Sequence, residues 1–263
     1  MARVLAISSH VARGSVGLAA TVPALQWLGH EVWALPTVVL ASRPGLGTLV
    51  HHNLPPPDLG TMLSALEADG CWASLDAVFT GYFPSHQSVA VAAQAISRIK
   101  AANSRTLVCV DPILGDAGKL YVAEETAEAI RDQLVPLASL ATPNLFELQW
   151  LSGAAPATRD DIANAARGLG PPTVVVTSAL QTSGTVATLL ITAGACVERS
   201  VSARSGIPNG AGDLFAGLLL GHLLNGQAIE AAFDASLQNL DGVLAASAGQ
   251  PILQLSALIT STR

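Results

Sequence analysis

Charged residues are scarce in this 263-residue chain, where they make up 12% of the sequence. The 13 Lys and Arg form no cluster and stand against 19 Asp and Glu, so the formal net charge is −6 at pH 7. A weakly acidic chain without a basic patch lacks the electrostatic footprint of a nucleic-acid-binding protein. Hydrophobic residues make up 50%, which excludes a disordered chain and allows a large core. We therefore expect a globular protein with no nucleic-acid partner.

Long hydrophobic runs are also absent, although the mean hydropathy is +0.46. The longest runs break on His, Gly, Ser or Pro well before the ~18 residues that a membrane-spanning helix needs. The most apolar segment, residues 214–224, contains Gly217, Gly221 and His222. The first residues carry no signal-peptide pattern. We expect a soluble protein with no membrane partner.

Cysteine is rare and odd in number, because the chain has only Cys71, Cys109 and Cys196. Their wide spacing predicts reduced, buried thiols in a cytoplasmic protein rather than a disulfide framework or a zinc site. The chain also has no internal repeat and no Ser/Gly-rich or charged linker. We interpret residues 1–263 as a single domain.

Short β-branched apolar runs alternate along the chain with longer helical patterns. Strands are predicted at residues 3–7, 31–35, 77–80, 106–110, 137–141 and 173–177, and antiparallel strands at 185–192 and 195–201. Helices are predicted at residues 15–28, 58–69, 84–102, 124–134, 158–167, 211–224, 228–246 and 253–260. This alternation predicts an α/β fold with a mainly parallel sheet and helices on both faces.

Polar clusters follow the predicted strands, where ligands bind in open parallel sheets. They occupy residues 8–10, 81–82, 111–116, 142–147 and 177–178, and a further cluster at 209–213 opens the apolar helix 211–224. Each cluster is a weak signal alone. Six clusters at one edge of one sheet predict a single binding site.

The sequence Gly-Ala-Gly-Asp at residues 210–213 is the most informative cluster. Glycines ahead of a helix let backbone N–H groups converge on an anion, and the helix N-terminus adds positive partial charge. A carboxylate at Asp213 could accept the proton of a substrate hydroxyl as that oxygen attacks a phosphoryl group. The same residues also match an ordinary glycine-rich turn followed by an N-terminal Asp.

Three acidic residues and one tyrosine complete the candidate chemistry. Asp111, Asp116 and Glu147 offer the hard oxygen ligands that hold Mg²⁺ together with nucleotide phosphates, although Asp-Pro and Gly-Asp also initiate turns. Tyr82 follows a glycine at a predicted strand end, which suits a ring stacking on a flat substrate and equally suits packing at the rim.

Three common motifs are missing. The chain has no Gly-x-x-x-x-Gly-Lys-Ser/Thr, no Gly-x-Gly-x-x-Gly after the first predicted strand and no Gly-x-Ser-x-Gly after any strand. These absences argue against a P-loop kinase, a dinucleotide-binding enzyme and an α/β-hydrolase.

The clusters taken together resemble the ribokinase superfamily and, within it, the pyridoxal kinases. The resemblance runs over almost the whole chain. It is carried by residues 9–17 with their Ser-His-Val start, 28–33, the Thr-Gly-Tyr at 80–82, the Asp-Pro-Ile-Leu-Gly-Asp at 111–116, the Thr-Pro-Asn at 142–144 with Glu147, and 210–213. It implies a ribokinase-like three-layer fold and ATP-dependent phosphorylation of the 5′-hydroxymethyl group of pyridoxal, with pyridoxine and pyridoxamine as further substrates.

The resemblance also implies roles for individual residues. Asp213 is the implied base, and Gly210, Ala211 and Gly212 form the implied anion hole for the γ-phosphate. The implied substrate-binding residues are Ser9, Val16, Pro44, Gly45, Tyr82 and Asp213. The implied ATP-binding residues are Asp111, Asp116, Thr142, Asn144, Glu147, Thr177, Ser178, Asn209, Gly210 and Gly212, of which Asp111, Thr142 and Glu147 also organise the metal. The resemblance further implies Mg²⁺, activation by K⁺ and a homodimer.

The chain departs from this family in the loop after the second strand. That loop usually reads Asn-His-Thr-Gly-Tyr, whereas residues 41–46 read Ala-Ser-Arg-Pro-Gly-Leu. Pro44 therefore replaces a threonine that touches the substrate, Leu46 replaces an aromatic residue, and Leu18 replaces an asparagine. The phosphoryl-transfer half of the site matches the family, and the half that binds the pyridine ring does not.

Two other functions stay open. A related kinase could act on a hydroxymethylpyrimidine, a sugar or a nucleoside. Hydroxymethylpyrimidine kinases typically carry Cys where Asp213 stands, and residues 31–52 leave little room for the lid of a sugar kinase. A non-catalytic binder of vitamin B6 or nucleotide is the other alternative, and the presence of Asp213, Asp111 and Glu147 argues against it.

Overall fold

The computed structural model describes residues 1–260. Its strands are β1 Arg3–Arg13, β2 Glu31–Ser42, β3 His51–Asn53, β4 Ala77–Thr80, β5 Leu107–Val110, β6 Gly115–Asp116, β7 Lys119–Leu120, β8 Leu140–Ala141, β9 Thr173–Gln181, β10 Thr185–Thr192 and β11 Cys196–Ser202. Its α-helices are α1 Leu18–Trp27, α2 Pro56–Ala68, α3 His86–Ala102, α4 Glu124–Ala129, α5 Leu145–Ser152, α6 Arg159–Gly168, α7 Ala211–Leu224, α8 Ile229–Ser247 and α9 Ala257–Thr260.

Nine of the strands form one sheet in the order β11-β10-β9-β8-β5-β4-β1-β2-β3. The six strands from β9 to β2 are parallel to one another, whereas β3, β10 and β11 add antiparallel edges. The two remaining strands, β6 and β7, form a separate hairpin. The parallel strands direct their carboxyl ends to one edge, as predicted, and the antiparallel strands predicted near residues 185–201 are confirmed.

Helices cover both faces of this sheet. Buried side chains of α1, α7 and α8 pack on one face in a cluster that includes Leu25, Phe215 and Phe233. Helices α2 to α4 pack on the opposite face of β1, β4 and β5, and α5 and α6 continue that layer over β9 and β10. Neighbouring residues along a strand point to opposite faces. The predicted three-layer α/β architecture is confirmed.

Strand β1 is longer than predicted. The sequence placed Ser8 to His10 in a loop after residues 3–7, but β1 continues to Arg13 because β2 continues beside it, pairing Arg13 with Ser42. The pairing register shifts between Ser8 and His10. Such an irregularity re-aims side chains at the end of a sheet. The polar residues therefore lie within the strand and still lie at the edge that binds ligands.

Strand β9 differs from its prediction in the same way. Thr177 and Ser178 were expected after the strand, but β9 runs to Gln181 because the antiparallel β10 extends with it. Ser178 has a φ of 49°, an unusual value for a residue with a side chain. The regular strand is thus interrupted where the polar pair lies.

Several element boundaries also need correction. Helix α1 begins at Leu18 rather than at Ser15, because Gly17 adopts a φ of 56° directly before it. Asp58 at the start of the predicted helix 58–69 is of a type that caps helices, but α2 begins at Pro56, so Asp58 lies in its first turn and is not the cap. The strand predicted over residues 137–141 contains only Leu140–Ala141, since a 3₁₀ turn occupies Val135–Leu137. The Thr-Pro-Asn at residues 142–144 predicts the start of a helix without its extent, and helix α5 runs over Leu145–Ser152.

The cysteines are free in the described chain, although Cys71 and Cys196 are only partly buried and Cys109 alone is fully buried. The Thr-x-x-Asp spacing at residues 158–161 predicts a capping box at the start of α6, and this is confirmed, because Thr158 and Asp161 each accept a backbone N–H from the other. Within residues 1–260, the helices are all too short or too polar to cross a membrane.

Candidate active site

The turn before helix α7 is the tightest part of the site. Gly210 has a φ of 111°, and a Cβ atom at this position would overlap the carbonyl oxygen of Ser15. Only glycine fits there, because it lacks the Cβ that makes a positive φ costly. At Gly212, by contrast, a Cβ atom would meet no heavy atom within 4 Å. The N-terminus of α7 therefore packs against the Ser15 carbonyl on the side of Gly210 and is open on the side of Gly212.

Asp213 lies in the first turn of α7, at the bottom of this open space. Its Oδ1 atom is buried and has no hydrogen-bond partner among the described residues. Burial raises the pKa of the carboxyl group to about 6, and the backbone N–H groups of Gly17 and of Asp213 itself oppose that rise. A carboxylate with a free, buried oxygen and a pKa just below neutrality is suited to accept a proton at pH 7.

Asp111 follows β5 and is buried, with 6% of its surface exposed. The Thr142 hydroxyl donates a hydrogen bond of 2.9 Å to Asp111 Oδ1. Burial, and after it the nearby charge of Asp213, raise the pKa of Asp111 to about 8, against the Thr142 hydrogen bond, which lowers it. Asp111 and Asp213 are thus close enough for their charges to repel.

Glu147 and Asn144 form a capping box at the start of α5. Asn144 Oδ1 accepts the Glu147 N–H at 2.9 Å, and Glu147 Oε2 accepts the Asn144 N–H at 2.8 Å. Glu147 Oε1 also accepts the backbone N–H of Leu114 at 3.0 Å. Burial and then the Asp111 charge raise the pKa of Glu147 well above its usual range. Glu147 therefore joins the 111–116 segment to helix α5.

The acids Glu147 and Asp111 are buried and Asp213 is partly buried; the charge of Asp213 raises the pKa of Asp111, and the charge of Asp111 raises that of Glu147. A cation bound beside them would favour their ionised forms. The residues up to 260 contain no group of three or more His, Cys, Asp or Glu side chains able to hold a metal by themselves. Mg²⁺ commonly binds through one or two carboxylates together with substrate phosphates, so this donor set fits Mg²⁺.

A cavity of about 440 Å³ opens beside these acids. Asp116, Asn144 and Ser178, three of the predicted ATP-binding residues, line it together with Ala117 and Phe146. Ala117 and Ser178 are the two non-glycine residues with positive φ in the described chain, both at 49°. Strained backbone of this kind concentrates at ligand-binding sites.

Two more predicted ATP-binding residues lie at the same edge of the sheet. The Thr177 N–H donates a 2.9 Å hydrogen bond to the Pro143 carbonyl, which places β9 beside the Thr142–Asn144 turn. Asn209 is exposed directly before the Gly210 turn. The geometry therefore brings the predicted nucleotide residues to one edge, between the cavity and the start of α7.

Two of the predicted substrate residues, Ser9 and Tyr82, belong to the neighbouring strands β1 and β4: Ser9 lies in the second half of β1, and Tyr82 follows the end of β4. Ser9 is buried, and a Cβ atom on Gly17 would overlap both its carbonyl and its hydroxyl oxygen. The Tyr82 N–H donates to Ser8 Oγ at 3.0 Å, and the Tyr82 carbonyl accepts from Thr37 Oγ1 at 2.7 Å. The Tyr82 ring is half-buried, and burial raises its pKa. Tyr82 is thus anchored through its backbone.

The loop after β2 is the exception. Pro44 and Gly45 are both exposed, whereas Val16 is half-buried. The structure does not place Pro44 or Gly45 among the buried groups around Asp213.

Ser15 and Ser8 are two contributors that the sequence did not single out. Ser15 supports Gly210 from below, and its hydroxyl donates to the Leu253 carbonyl at 3.3 Å. Ser8 holds the backbone of Tyr82, and a Cβ on Gly81 would overlap its hydroxyl. Both residues lie in the polar stretch around residues 8–17, which was the one available signal.

Comparison with known proteins identifies the family to which the chain belongs. The phosphomethylpyrimidine kinase family model matches residues 13–254. A pyridoxal kinase of Rubrobacter xylanophilus is 36% identical over 255 residues, covering 92% of this chain and 86% of the relative. A pyridoxine/pyridoxal/pyridoxamine kinase of Bordetella avium is 38% identical over 249 residues, with 92% and 84% covered.

Solved structures give the same result. The pyridoxal kinase of Leishmania donovani in complex with ADP and pyridoxamine has a TM-score of 0.90 and 28% identity, covering 97% of this chain and 94% of that one. The pyridoxal kinase of Entamoeba histolytica has a TM-score of 0.93 and 25% identity, with 100% and 96% covered. The sequence relatives, the matching structures and the family model agree over nearly the full length, and the chain belongs to the pyridoxal kinase family of the ribokinase superfamily.

Proposed function

We propose that this protein transfers the γ-phosphoryl group of ATP to the 5′-hydroxymethyl oxygen of pyridoxal, in vitamin B6 salvage, and also accepts pyridoxine and pyridoxamine. The observation that carries the proposal is the unpaired buried oxygen of Asp213 beside the open N-terminus of α7. The relatives that share this architecture are pyridoxal kinases.

The proposed reaction is a single displacement. The substrate oxygen forms a bond to the γ-phosphorus, the bond from that phosphorus to the bridging oxygen of ADP breaks, and the hydroxyl proton moves to Asp213. A pKa of about 6 leaves most of the Asp213 carboxyl ionised at pH 7 and able to take this proton. The backbone N–H groups at Gly210, Ala211 and Gly212 would receive the negative charge of the transferred group.

We propose that Asp111, Thr142 and Glu147 hold Mg²⁺ together with the nucleotide phosphates, and that K⁺ activates the enzyme. Mg²⁺ would neutralise phosphate charge during transfer. Asp111 supplies a buried carboxylate whose orientation the Thr142 hydroxyl sets. Glu147 uses both oxygens to accept backbone N–H groups, so we expect it to act chiefly by positioning the 111–116 segment.

The nucleotide and the pyridine ring would lie on opposite sides of Asp213. The cavity lined by Asp116, Asn144 and Ser178 is the proposed place for the nucleotide, with Thr177 and Asn209 at its edge. The proposed ring contacts are Ser9, Val16, Pro44, Gly45 and Tyr82. In this proposed arrangement Asp213 would lie between the two ligands, as in-line transfer requires.

We further propose a single-domain chain, a homodimer and a cytoplasmic location. The dimer proposal is supported by β3, an edge strand whose three residues are all exposed, next to exposed Leu49, Val50 and Val39. The strand itself is polar, with the sequence His-His-Asn, but an uncovered edge strand still offers unpaired backbone groups to another chain. Light scattering of the protein as it leaves a size-exclusion column tests the dimer. The free cysteines support the proposed cytoplasmic location, because thiols stay reduced there.

Asp213→Asn tests the proposed reaction. The amide keeps the shape of the side chain but cannot take the proton, so we expect kcat to fall by ~10²–10⁴-fold with the melting temperature nearly unchanged. If Asp213 were only a helix cap, Asp213→Ala would instead lower the stability by up to ~1–2 kcal/mol and preserve turnover per folded molecule. Measuring kcat and melting temperature for both variants separates the two roles.

A hydroxymethylpyrimidine is the second candidate substrate, because the matching family model is that of a phosphomethylpyrimidine kinase. Both substrates present a hydroxymethyl group on a flat nitrogen-containing ring. Asp213 could serve as the base for either one, so the ring-binding residues decide between them.

A further inference from the structure

The loop of residues 43–46, here called the substrate loop, leaves the sheet beside the turn that precedes α1. The Arg43 N–H donates to the Arg13 carbonyl at 3.0 Å, which continues the pairing of β1 with β2 by one more residue. A Cβ atom on Gly14 would lie 3.1 Å from Arg43 Cβ and 3.2 Å from its Cγ. The aliphatic stem of Arg43 therefore lies directly across the Gly14 turn.

The Arg43 guanidinium connects two distant parts of the chain. Its Nη2 and Nε atoms donate to the Pro251 carbonyl at 2.7 and 3.3 Å, and Nη1 donates to the Pro44 carbonyl at 3.0 Å. Pro251 belongs to residues 249–253, which follow helix α8 and are here called the 249–253 segment. One planar side chain thus ties the substrate loop to a segment more than 200 residues later, by hydrogen bonds from a charged donor.

The 249–253 segment also contacts the turn before α7 that contains Gly210. Its last residue, Leu253, is buried, and its carbonyl accepts the Ser15 hydroxyl at 3.3 Å. A Cβ atom on Gly210 would lie 3.2 Å from Leu253 Cδ1 and would also overlap the Ser15 carbonyl. Arg43, Pro251, Leu253 and Gly210 therefore form a continuous chain of contacts from the substrate loop to the anion-binding turn.

From these contacts we infer that Arg43 is a positioning residue that holds the substrate loop over the ring-binding half of the site, in register with Gly210. Arg43 acts through the Pro251 tie, which fixes where Pro44 and Gly45 stand when the alcohol substrate binds. The inference rests on the proposed kinase function and deepens it. The loop has lost the family's threonine and aromatic residue, so its position rather than its side chains carries most of its contribution.

Arg43→Gln removes the guanidinium group that donates to the Pro251 and Pro44 carbonyls. Arg13→Gln is the matched control. The Arg13 side chain is exposed, lies opposite the same loop and makes no hydrogen bond or ion pair with any residue from 1 to 260. Both variants remove one positive charge from the same place. We expect Arg43→Gln to raise KM for pyridoxal about fivefold to twentyfold. We expect KM for ATP and saturated kcat to stay within about twofold, and Arg13→Gln to change none of them by more than that.

A lysine at position 43 keeps the charge but not the planar fork, so KM of Arg43→Lys should lie between those of the wild type and Arg43→Gln. Hydrogen exchange gives a readout that needs no turnover. Amide exchange across residues 43–50 and 249–254 should become faster in Arg43→Gln and stay unchanged in Arg13→Gln.

Three results would overturn the inference: an unchanged KM for pyridoxal in Arg43→Gln, an equal rise of KM for both substrates, or the same effect in Arg13→Gln. A wild-type protein that does not phosphorylate pyridoxal contradicts the proposed function instead. In that case the exchange comparison still decides the inference, because loss of the Pro251 tie must loosen both segments together. Unchanged exchange in both segments would overturn it.

Discussion

The two halves of the site are built differently. Asp111 and Glu147 are buried and held by backbone hydrogen bonds, by Thr142 and by the Asn144 capping box, and Asp213 beside them is partly buried. Around the substrate loop, Pro44 and Gly45 are exposed, and Arg43 supplies the main connection to the rest of the fold. One half is embedded in the sheet edge and the other is carried on a surface loop.

This difference follows from what each half does. Phosphoryl transfer requires the base, the anion cradle and the cation ligands to keep fixed relative positions, because misplacement of about 1 Å can cost ~10²-fold in rate. Ring recognition depends on contacts that a surface loop can exchange without disturbing the core. The motifs that carry the resemblance to the family accordingly lie in the first half, and the departures from it lie in the second.

A large effect on activity is expected at the turn before α7, where Gly210 and Gly212 can be compared. Gly212→Ala adds a methyl group where no atom lies within 4 Å, so the fold should be unchanged. The methyl group would enter the space for the γ-phosphate and lower kcat/KM for ATP by ~10²-fold. Gly210→Ala should lower both activity and melting temperature, because its Cβ would overlap the Ser15 carbonyl. A Gly212→Ala enzyme with full activity would show that the phosphate binds elsewhere.

Glu147→Gln probes the contact between the 111–116 segment and α5. Glutamine has a single side-chain oxygen, so it can accept only one of the two N–H groups, of Leu114 and Asn144, that Glu147 accepts. The other N–H is left buried without a partner. Such a loss costs about 1–3 kcal/mol, and the displaced segment should raise the Mg²⁺ and ATP requirement by about tenfold. Thermal unfolding and a Mg²⁺ titration measure the two effects. Full activity in excess EDTA would contradict the cation site itself.

Asp111 should make the ligand-free protein less stable as the pH rises. Its pKa is about 8 in the fold, above the value of 3.8 from which it is raised. Between these two values the folded state holds a proton that the unfolded chain releases, so its contribution to stability falls with increasing pH. Asp111→Asn should remove this slope and raise the melting temperature near pH 8, by about 2–4 °C per kcal/mol, while abolishing activity. A wild-type melting curve with the same pH slope as the variant would be inconsistent with the buried, raised carboxyl.

The smallest effect is expected in the substrate loop. Pro44→Thr restores the hydroxyl that the family uses, on a residue whose carbonyl Arg43 already holds at 3.0 Å. One neutral hydrogen bond should lower KM for pyridoxal by about twofold to fivefold and leave KM for ATP unchanged. Steady-state kinetics with each substrate varied in turn checks this. A KM for pyridoxal that stays constant would mean that the loop does not reach the ring.

The sequence predicted much of the fold because its strongest signals are local. Helix α7 begins and ends where its apolar run predicted, and the α6 capping box is present at Thr158 and Asp161. The lengths of β1 and β9 could not be predicted, because they depend on partner strands that extend beside them. Ser8 and Ser178 are polar residues that normally indicate a loop, and only the neighbouring strand keeps them in the sheet.

The residues of the candidate site could be predicted from the sequence, but their burial and the long-range contacts between them could not. The motifs identified Asp111, Glu147 and Asp213, whereas the burial that raises their pKa values arises only when three separate segments meet. The Arg43–Pro251 tie has no sequence signature, since a backbone carbonyl accepts hydrogen bonds from any donor within reach. Long-range contacts of this kind become visible only in the folded chain.

The most direct test is a comparison of kcat/KM for pyridoxal, pyridoxine, pyridoxamine, a hydroxymethylpyrimidine and ribose, each with ATP and Mg²⁺, with the product identified by mass spectrometry. We expect kcat/KM for pyridoxal to exceed that for the pyrimidine and the sugar by at least about tenfold, with pyridoxal 5′-phosphate and ADP formed in equal amounts. A higher kcat/KM for the pyrimidine or for ribose would contradict pyridoxal as the substrate. Absence of ADP formation with every alcohol would contradict kinase activity altogether.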